Sequence, residues 1–272
     1  MRHAAIHAVT IDLWGTLFID SPAADERYQR ERVLRVAEAL LERGIEVPVA
    51  SLAKAYVESR RHLLRAWRDL RDVPVERHVT LLLQGVDPAL PGRLDQAGLA
   101  AAAWAYASPA LDAPPSLDPG AAAAFDALAE RGIAVCLVSN TLRTPGSVLR
   151  RILYNAGLRG AFAGMVFSDE CGFRKPNPAI FQCALERLDV PARHAVHVGD
   201  DAWLDVEGPH LVKMRAIRLG DAGPGVGEGA QRVPDAVIQS LSELPAAVDR
   251  LRTEPSPAPA DAFPLTQIAG HR

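Results

Sequence analysis

The chain has 272 residues, a formal net charge of −3 at pH 7, 49% hydrophobic residues and 23% charged residues. This composition is typical of globular proteins, and the slightly acidic charge excludes the strongly basic surface that nucleic-acid binding requires. The sequence shows no signal peptide, no apolar run as long as a membrane span, and three cysteines without the paired spacing of a disulfide framework or zinc site. We therefore expect a cytoplasmic protein that binds neither nucleic acid nor membranes.

The first predicted element is a strand over residues 5–14, an apolar and β-branched run that carries Asp12 near its end. Such a run is typical of a parallel strand that is buried on both faces. Ligands in open α/β sheets bind beyond the carboxyl ends of the strands, so Asp12 is a candidate nucleophile or metal ligand. Gly15 then permits a tight turn, and Thr16 offers a hydroxyl just past it.

The segment after this strand carries helical patterns with no strand between them. Four consecutive helices predict a compact helical bundle that is inserted after the first strand. The proline-rich residues 108–120 then predict the linker that returns to the first strand's domain. The four helices are predicted over residues 25–43, 49–70, 74–85 and 95–107.

Strands and helices alternate through the rest of the chain, which predicts a parallel, doubly wound sheet. The predicted strands cover residues 133–138, 165–167, 194–198 and 213–219, and the predicted helices cover 121–131, 145–157, 178–188 and 236–251. We therefore expect an α/β fold, a Rossmann-like core formed by residues 1–19 and 117–252. An all-helical domain would span residues 20–116, and the proline-rich residues 253–272 predict a flexible tail.

Polar side chains follow three of the predicted strands. Because the carboxyl ends of parallel strands meet at one edge of a sheet, we expect these side chains to lie close together. Lys175 follows in a loop with two prolines. Carboxylates can hold a divalent cation, and hydroxyl, amide and ammonium groups can bind a phosphate or another anion. The strand ends carry Asp12, Ser139, Asn140, Asp200 and Asp201.

These motifs resemble those of the haloacid dehalogenase-like (HAD) superfamily, and four of them match in order and spacing. The resemblance covers residues 5–219, and the helical insert stands where such families carry a cap domain. The four motifs are the Asp-x-x-Gly-Thr-Leu stretch from Asp12, Ser139-Asn140, Lys175-Pro176-Asn177-Pro178, and His197-Val198-Gly199-Asp200-Asp201 followed by Asp205.

The resemblance implies a role for each motif. Asp12 would be the nucleophile that forms an aspartyl intermediate, and Ser139 would bind the oxygens of the transferred phosphoryl group. Lys175 would neutralise charge on the nucleophile and the substrate. Thr16 and Asn140 are the candidate substrate-binding residues, and the substrate itself would be a small anionic molecule.

The same resemblance implies a Mg²⁺ site. Its ligands would be Asp12, the backbone carbonyl of Trp14 and Asp200, with support from Asp205 and Asp201. Magnesium prefers oxygen ligands and retains waters, so one or two carboxylates and a substrate oxygen would suffice.

Trp14 is the point at which this sequence departs from the phosphatases of the superfamily, which carry a second aspartate there. That aspartate acts as a general acid and base, whereas indole is a hydrogen-bond donor only. Haloacid dehalogenases resemble this chain in having an aromatic residue at the position, but they need no metal.

Three functions therefore remain open at the level of the sequence. The first is a Mg²⁺-dependent phosphatase that acts on a small phosphorylated metabolite. The second is a metal-independent 2-haloacid dehalogenase, and the third is a non-catalytic binding or regulatory protein on a HAD scaffold.

Overall fold

The computed structural model describes residues 5–19, 22–220 and 232–253. Six of its strands form one sheet in which every pair is parallel. The strands are β1 (Ala8–Ile11), β2 (Phe18–Ile19), β3 (Ser116–Leu117), β4 (Ala134–Ser139), β5 (Gly164–Phe167), β6 (Ala195–Gly199), β7 (Arg215–Leu219) and β8 (Ala236–Ile238). Their order in the large sheet is β5-β4-β1-β6-β7-β8. The predicted α/β fold with a parallel, doubly wound sheet is thus confirmed.

Helices follow most of these strands and also fill the segment between β2 and β3. Within the described residues, the α-helices are α1 (Pro22–Leu41), α2 (Val49–Arg68), α3 (Val75–Val86), α4 (Gln96–Ala107), α5 (Pro109–Asp112), α6 (Ala121–Glu130), α7 (Gly146–Asn155), α8 (Ser168–Cys171), α9 (Pro178–Leu188), α10 (Gly208–Leu211) and α11 (Leu244–Thr253). A π-helical turn (Ala202–Glu207) and short 3₁₀ turns (Leu90–Arg93, Ala192–His194 and Leu241–Glu243) complete them. None of the helices in these ranges is both long and apolar enough to cross a membrane.

The central strands are buried because both faces of the sheet are covered. Successive residues of a strand point to opposite faces. Val9 and Leu137 join a large apolar cluster on one face, while Ala8, Cys136 and Val138 join a second cluster on the other face. This double burial explains why the strands lack the polar alternation of a sheet that is open to solvent on one side.

The helical insert, defined here as α1 to α5, has an apolar cluster of its own. Its buried members include Val36, Leu40, Leu52, Leu82 and Tyr106. The two chain segments that connect the insert to the large sheet pair with each other as the antiparallel strands β2 and β3. The insert's role as a cap and the domain boundaries at residues 20 and 116 stay predictions.

The structure corrects three of the predicted elements. Residues 236–251 were predicted as one helix, but the β-branched residues of β8 instead add a parallel edge to β7, and α11 starts only at Leu244. The return linker contains the short helix α5 and the strand β3. The first strand is shorter than residues 5–14, since β1 ends at Ile11. The predicted tail covers residues 253–272, of which Thr253 is the last residue of α11 and the others lie outside the described residues.

Candidate active site

The site forms at the carboxyl edge of the large sheet, where β1, β4 and β6 end side by side. Asp12 directly follows β1, and its backbone N–H donates to the carbonyl of Val198 at 2.9 Å. Ser139 is the last residue of β4 and is fully buried. Asp200 directly follows β6. The structure therefore brings the three predicted strand ends to one edge.

Lys175 connects two of the carboxylates in this site. Its side chain is buried, and its Nζ donates to Oδ1 of Asp12 and, at 2.6 Å, to Oδ1 of Asp205. Asn140 holds the backbone of this lysine. The Asn140 side chain accepts from the N–H of Lys175 at 2.8 Å and donates to its carbonyl at 3.2 Å. In this structure the carbonyl and one N–H group of Asn140 position the lysine, and its contact with substrate stays a prediction.

Asp205 lies at the centre of a buried hydrogen-bond network. Besides Lys175, it accepts from the backbone N–H of Asp201 at 3.0 Å, and its Oδ1 lies 3.0 Å from Nε2 of His197. Nδ1 of His197 lies 2.8 Å from the hydroxyl of Thr10. Burial lowers the pKa of His197, so the neutral ring can donate to Asp205 and accept from Thr10. Burial raises the pKa of Asp205, but Lys175 and His197 outweigh it and hold this pKa below its usual range.

Gly15 and Thr16 fix the position of Asp200. Thr16 Oγ1 donates to Oδ1 of Asp200 at 3.1 Å. Gly15 has a φ of +81°, and a Cβ added there would lie 2.5 Å from Oδ2 of Asp200. The glycine is therefore required both for the turn and for the close approach of the carboxylate. The hydroxyl of Thr16 contacts Asp200 in this structure, and its contact with substrate stays a prediction.

The acidic residues fit the Mg²⁺ ion that the sequence predicted. Asp12, Asp200 and Asp205 each offer a carboxylate oxygen, and these oxygens lie within 4.8 Å of one another. Hard oxygen ligands of this kind suit Mg²⁺. The carboxylate of Asp201 instead accepts from two backbone N–H groups of the π-helical turn, both at 2.8 Å. Asp201 therefore supports the site through its own N–H group, which donates to Asp205.

Residues 6–211 match the family model of the haloacid dehalogenase-like hydrolases. The chain belongs to this hydrolase family. The resemblance that the motifs indicated is thereby confirmed, and the acidic edge of the sheet is the place where the HAD motifs meet.

Relatives of this HAD chain carry different activities in their names. "Haloacid dehalogenase-like hydrolase domain-containing protein 3" of Mus musculus is 35% identical over 123 residues, which are 45% of this chain and 47% of the relative. The chain thus matches about half the length of that protein. "Glyceraldehyde 3-phosphate phosphatase" of Methanopyrus kandleri is 30% identical over 225 residues, 79% of this chain and 84% of the relative. Among solved structures, a 2-haloacid dehalogenase from Pseudomonas syringae pv. Tomato DC3000 has a TM-score of 0.65 and 26% identity over 90% of this chain and 99% of its own.

Two residues of the HAD site network were not predicted from the motifs as functional partners. Thr10 and His197 are paired in register on the neighbouring strands β1 and β6, and both are fully buried. A buried polar residue needs a hydrogen-bond partner. Polar residues inside two otherwise apolar strands therefore indicate a buried hydrogen-bond network. Only the structure shows that this network includes Asp205.

We expect Mg²⁺ to stabilise the HAD core more at pH 8 than at pH 5.5. Burial raises the pKa of Asp12 from its ordinary value of 3.8 to about 7, although Lys175 opposes this shift. Without metal, the protonated carboxyl favours the folded state, and this contribution is lost as the pH rises from about 4 to about 7. Mg²⁺ binds the ionised form, so its stabilisation should grow over the same interval, to about 1–3 kcal/mol at millimolar Mg²⁺.

Thermal unfolding at both pH values, with Mg²⁺ or with EDTA, measures this difference. The Asp12→Asn variant is the control, because its side chain does not titrate. A Mg²⁺-induced rise in Tm that is equal at the two pH values in the unmodified chain would contradict the assignment of Asp12 to the metal site.

Proposed function

We propose that this chain is a Mg²⁺-dependent phosphatase that acts on a small phosphorylated metabolite through an aspartyl-phosphate on Asp12. The observation that supports this proposal best is the charge balance of the site. Three carboxylates, of Asp12, Asp200 and Asp205, face one ammonium group, of Lys175. Buried charges are costly unless they are compensated, and a divalent cation would neutralise the two negative charges that remain once all three carboxylates are ionised.

The chain's own residues would divide the chemistry as follows. Asp12 attacks the phosphorus atom, the bond to the leaving group breaks, and water then hydrolyses the aspartyl-phosphate to release phosphate and restore the carboxylate. Lys175 stabilises the ionised carboxylate of Asp12 and the charge on the phosphoryl oxygens. The hydroxyl of Ser139 binds one of those oxygens. A bound Mg²⁺ would supply further positive charge to the phosphoryl group.

The network around Asp205 supports this division. Asp205 accepts a second hydrogen bond from the ammonium group of Lys175, and His197 and the N–H of Asp201 hold Asp205 in turn. A fixed ammonium group costs no reorganisation when charge develops in the transition state. The relative named glyceraldehyde 3-phosphate phosphatase, which matches most of this chain, supports a phosphorylated substrate.

Hydrolysis of p-nitrophenyl phosphate tests the proposal. We expect turnover with Mg²⁺, loss of at least about 95% of that turnover in excess EDTA, and recovery when Mg²⁺ is added back, since the buried carboxylates would repel an anionic substrate without the cation. A matched reaction with acetyl phosphate tests an acyl leaving group. Turnover that persists in EDTA would contradict the metal requirement.

A second candidate function is a metal-independent 2-haloacid dehalogenase. Trp14 favours it, because a halide leaves without a proton and needs no general acid at that position. The similarity to a solved 2-haloacid dehalogenase, with a TM-score of 0.65, supports the same candidate function. The buried carboxylates oppose it, since a 2-haloacid is itself an anion. Chloride release from 2-chloropropionate in EDTA distinguishes this candidate. If neither p-nitrophenyl phosphate hydrolysis nor chloride release is detected, the result favours a non-catalytic protein.

A further inference from the structure

A loop of the helical insert binds the loop that carries Lys175. The loop between α2 and α3 lies antiparallel to the segment that precedes the lysine. Two backbone hydrogen bonds join them, from the N–H of Asp72 to the carbonyl of Gly172 at 3.1 Å and from the N–H of Arg174 to the carbonyl of Leu70 at 3.0 Å. The insert thus touches the backbone of the residue immediately before Lys175.

The carboxylate of Asp72 reinforces this contact. Its side chain is completely buried, and it accepts from Nη1 of Arg174 at 2.6 Å, from Oγ of Ser168 at 2.5 Å and from Nε1 of Trp67 at 3.0 Å. The guanidinium of Arg174 also lies over the Trp67 ring, 4.4 Å from its centroid. Because both charges are shielded from solvent, removal of one partner leaves the other uncompensated.

Two of these three partners, Arg174 and Ser168, lead to different parts of the active site. Arg174 is bonded to Lys175 in the chain. The hydroxyl of Ser168, which donates to Asp72, accepts from the backbone N–H of Thr141 at 2.9 Å, just beyond Ser139 and Asn140. Asn140 joins the two loops directly, since its side chain binds the backbone of Lys175. One carboxylate of the insert therefore supports both loops.

We propose that Asp72 is a positioning residue that holds the Lys175 loop and the loop after Ser139 in their reactive arrangement. This inference rests on the proposed function for its catalytic consequence. A misplacement of about 1 Å can lower a rate by about 100-fold, so support at a distance from the chemistry matters. The site is fully assembled only while the α2–α3 loop stays bound to the core.

The first test is the Asp72→Asn variant of the full chain, assayed with p-nitrophenyl phosphate and Mg²⁺ well below the variant's Tm. We expect kcat to fall by about 10- to 100-fold, while KM changes less than about threefold, because a misplaced ammonium group stabilises the transition state less but affects ground-state binding little. The matched control is Asp69→Asn, an exposed aspartate of the same loop, which should change kcat less than about twofold. A purely structural role for Asp72 would lower Tm and leave the kcat of the folded protein unchanged, which would overturn the inference.

A second measurement is independent of activity. In hydrogen–deuterium exchange without substrate, Asp72→Asn should speed exchange in peptides that cover residues 139–144 and 172–175, whereas Asp69→Asn should not. Ser168→Ala removes only a hydroxyl, and it should speed exchange around Thr141 more than around Arg174. Unchanged exchange in both peptides of Asp72→Asn would overturn the inference.

Absence of phosphatase turnover in the unmodified chain would instead overturn the proposed function, and the variants would then be compared by chloride release.

Discussion

The Asp12→Asn substitution is expected to lower turnover of p-nitrophenyl phosphate by about 10⁴-fold or more, the size of effect that follows loss of a nucleophile. The amide has nearly the shape of the carboxylate but cannot form the aspartyl-phosphate. Lys175 would keep its ion pair with Asp205 at 2.6 Å. We therefore expect the other hydrogen bonds of the network to be retained in the variant. The measurement is the initial rate with Mg²⁺ at saturating substrate.

The controls for this prediction separate chemistry from folding. Asp126→Asn changes an exposed aspartate of α6 and should retain full activity. Asp12→Asn itself should unfold in EDTA at the same temperature as the unmodified chain or higher, because burial raises the pKa of Asp12 to about 7 and disfavours its charged form. Acid quench and mass spectrometry should detect one phosphoryl group on the peptide that contains Asp12, and none in the variant. Residual activity above about 1% would contradict a nucleophilic role.

The strand ends of the site could be predicted because they follow from a general property of parallel sheets. Asp12, Ser139 and Asp200 each end an apolar run, and parallel strands present such ends at one edge. The helices of the insert could also be predicted, since hydrophobic periodicity identifies long helices well. The strand β8 was missed because Ala236, Val237 and Ile238 form too short an apolar run to be told from the start of a helix.

The partners of the individual side chains could not be predicted, because they depend on geometry between distant segments. Thr16 and Asn140 were predicted to bind substrate, which stays a prediction, and no motif indicated that they contact Asp200 and the backbone of Lys175. Asp72 is the clearest example. It lies 102 residues from Arg174 in the sequence, on a different part of the fold, and no motif connects the two. Sequence patterns report the burial and the element of a residue, not the atom that it contacts.

Trp14 leads to the second large prediction, a strong dependence of turnover on the leaving group. The indole packs edge-on against Phe18, with ring centroids 5.6 Å apart, and its Nε1 has no hydrogen-bond partner among the described residues. It cannot donate a proton to a departing alkoxide at neutral pH. We expect aryl or acyl phosphates to turn over about 10²- to 10⁴-fold faster than an alkyl phosphate, the range that general acid catalysis contributes. The measurement is kcat with substituted phenyl phosphates, acetyl phosphate and glycerol 1-phosphate.

The Trp14→Asp and Trp14→Phe variants separate the missing proton donor from the loss of packing. Both shrink a half-buried aromatic side chain beside Phe18, so both should cost stability and lower absolute rates. The ratio of aryl to alkyl turnover cancels such losses, because each variant serves as its own reference. Trp14→Asp should reduce this ratio by about tenfold or more, while Trp14→Phe should leave it unchanged. An unmodified chain that hydrolyses glycerol 1-phosphate as fast as p-nitrophenyl phosphate would show that another group supplies the proton.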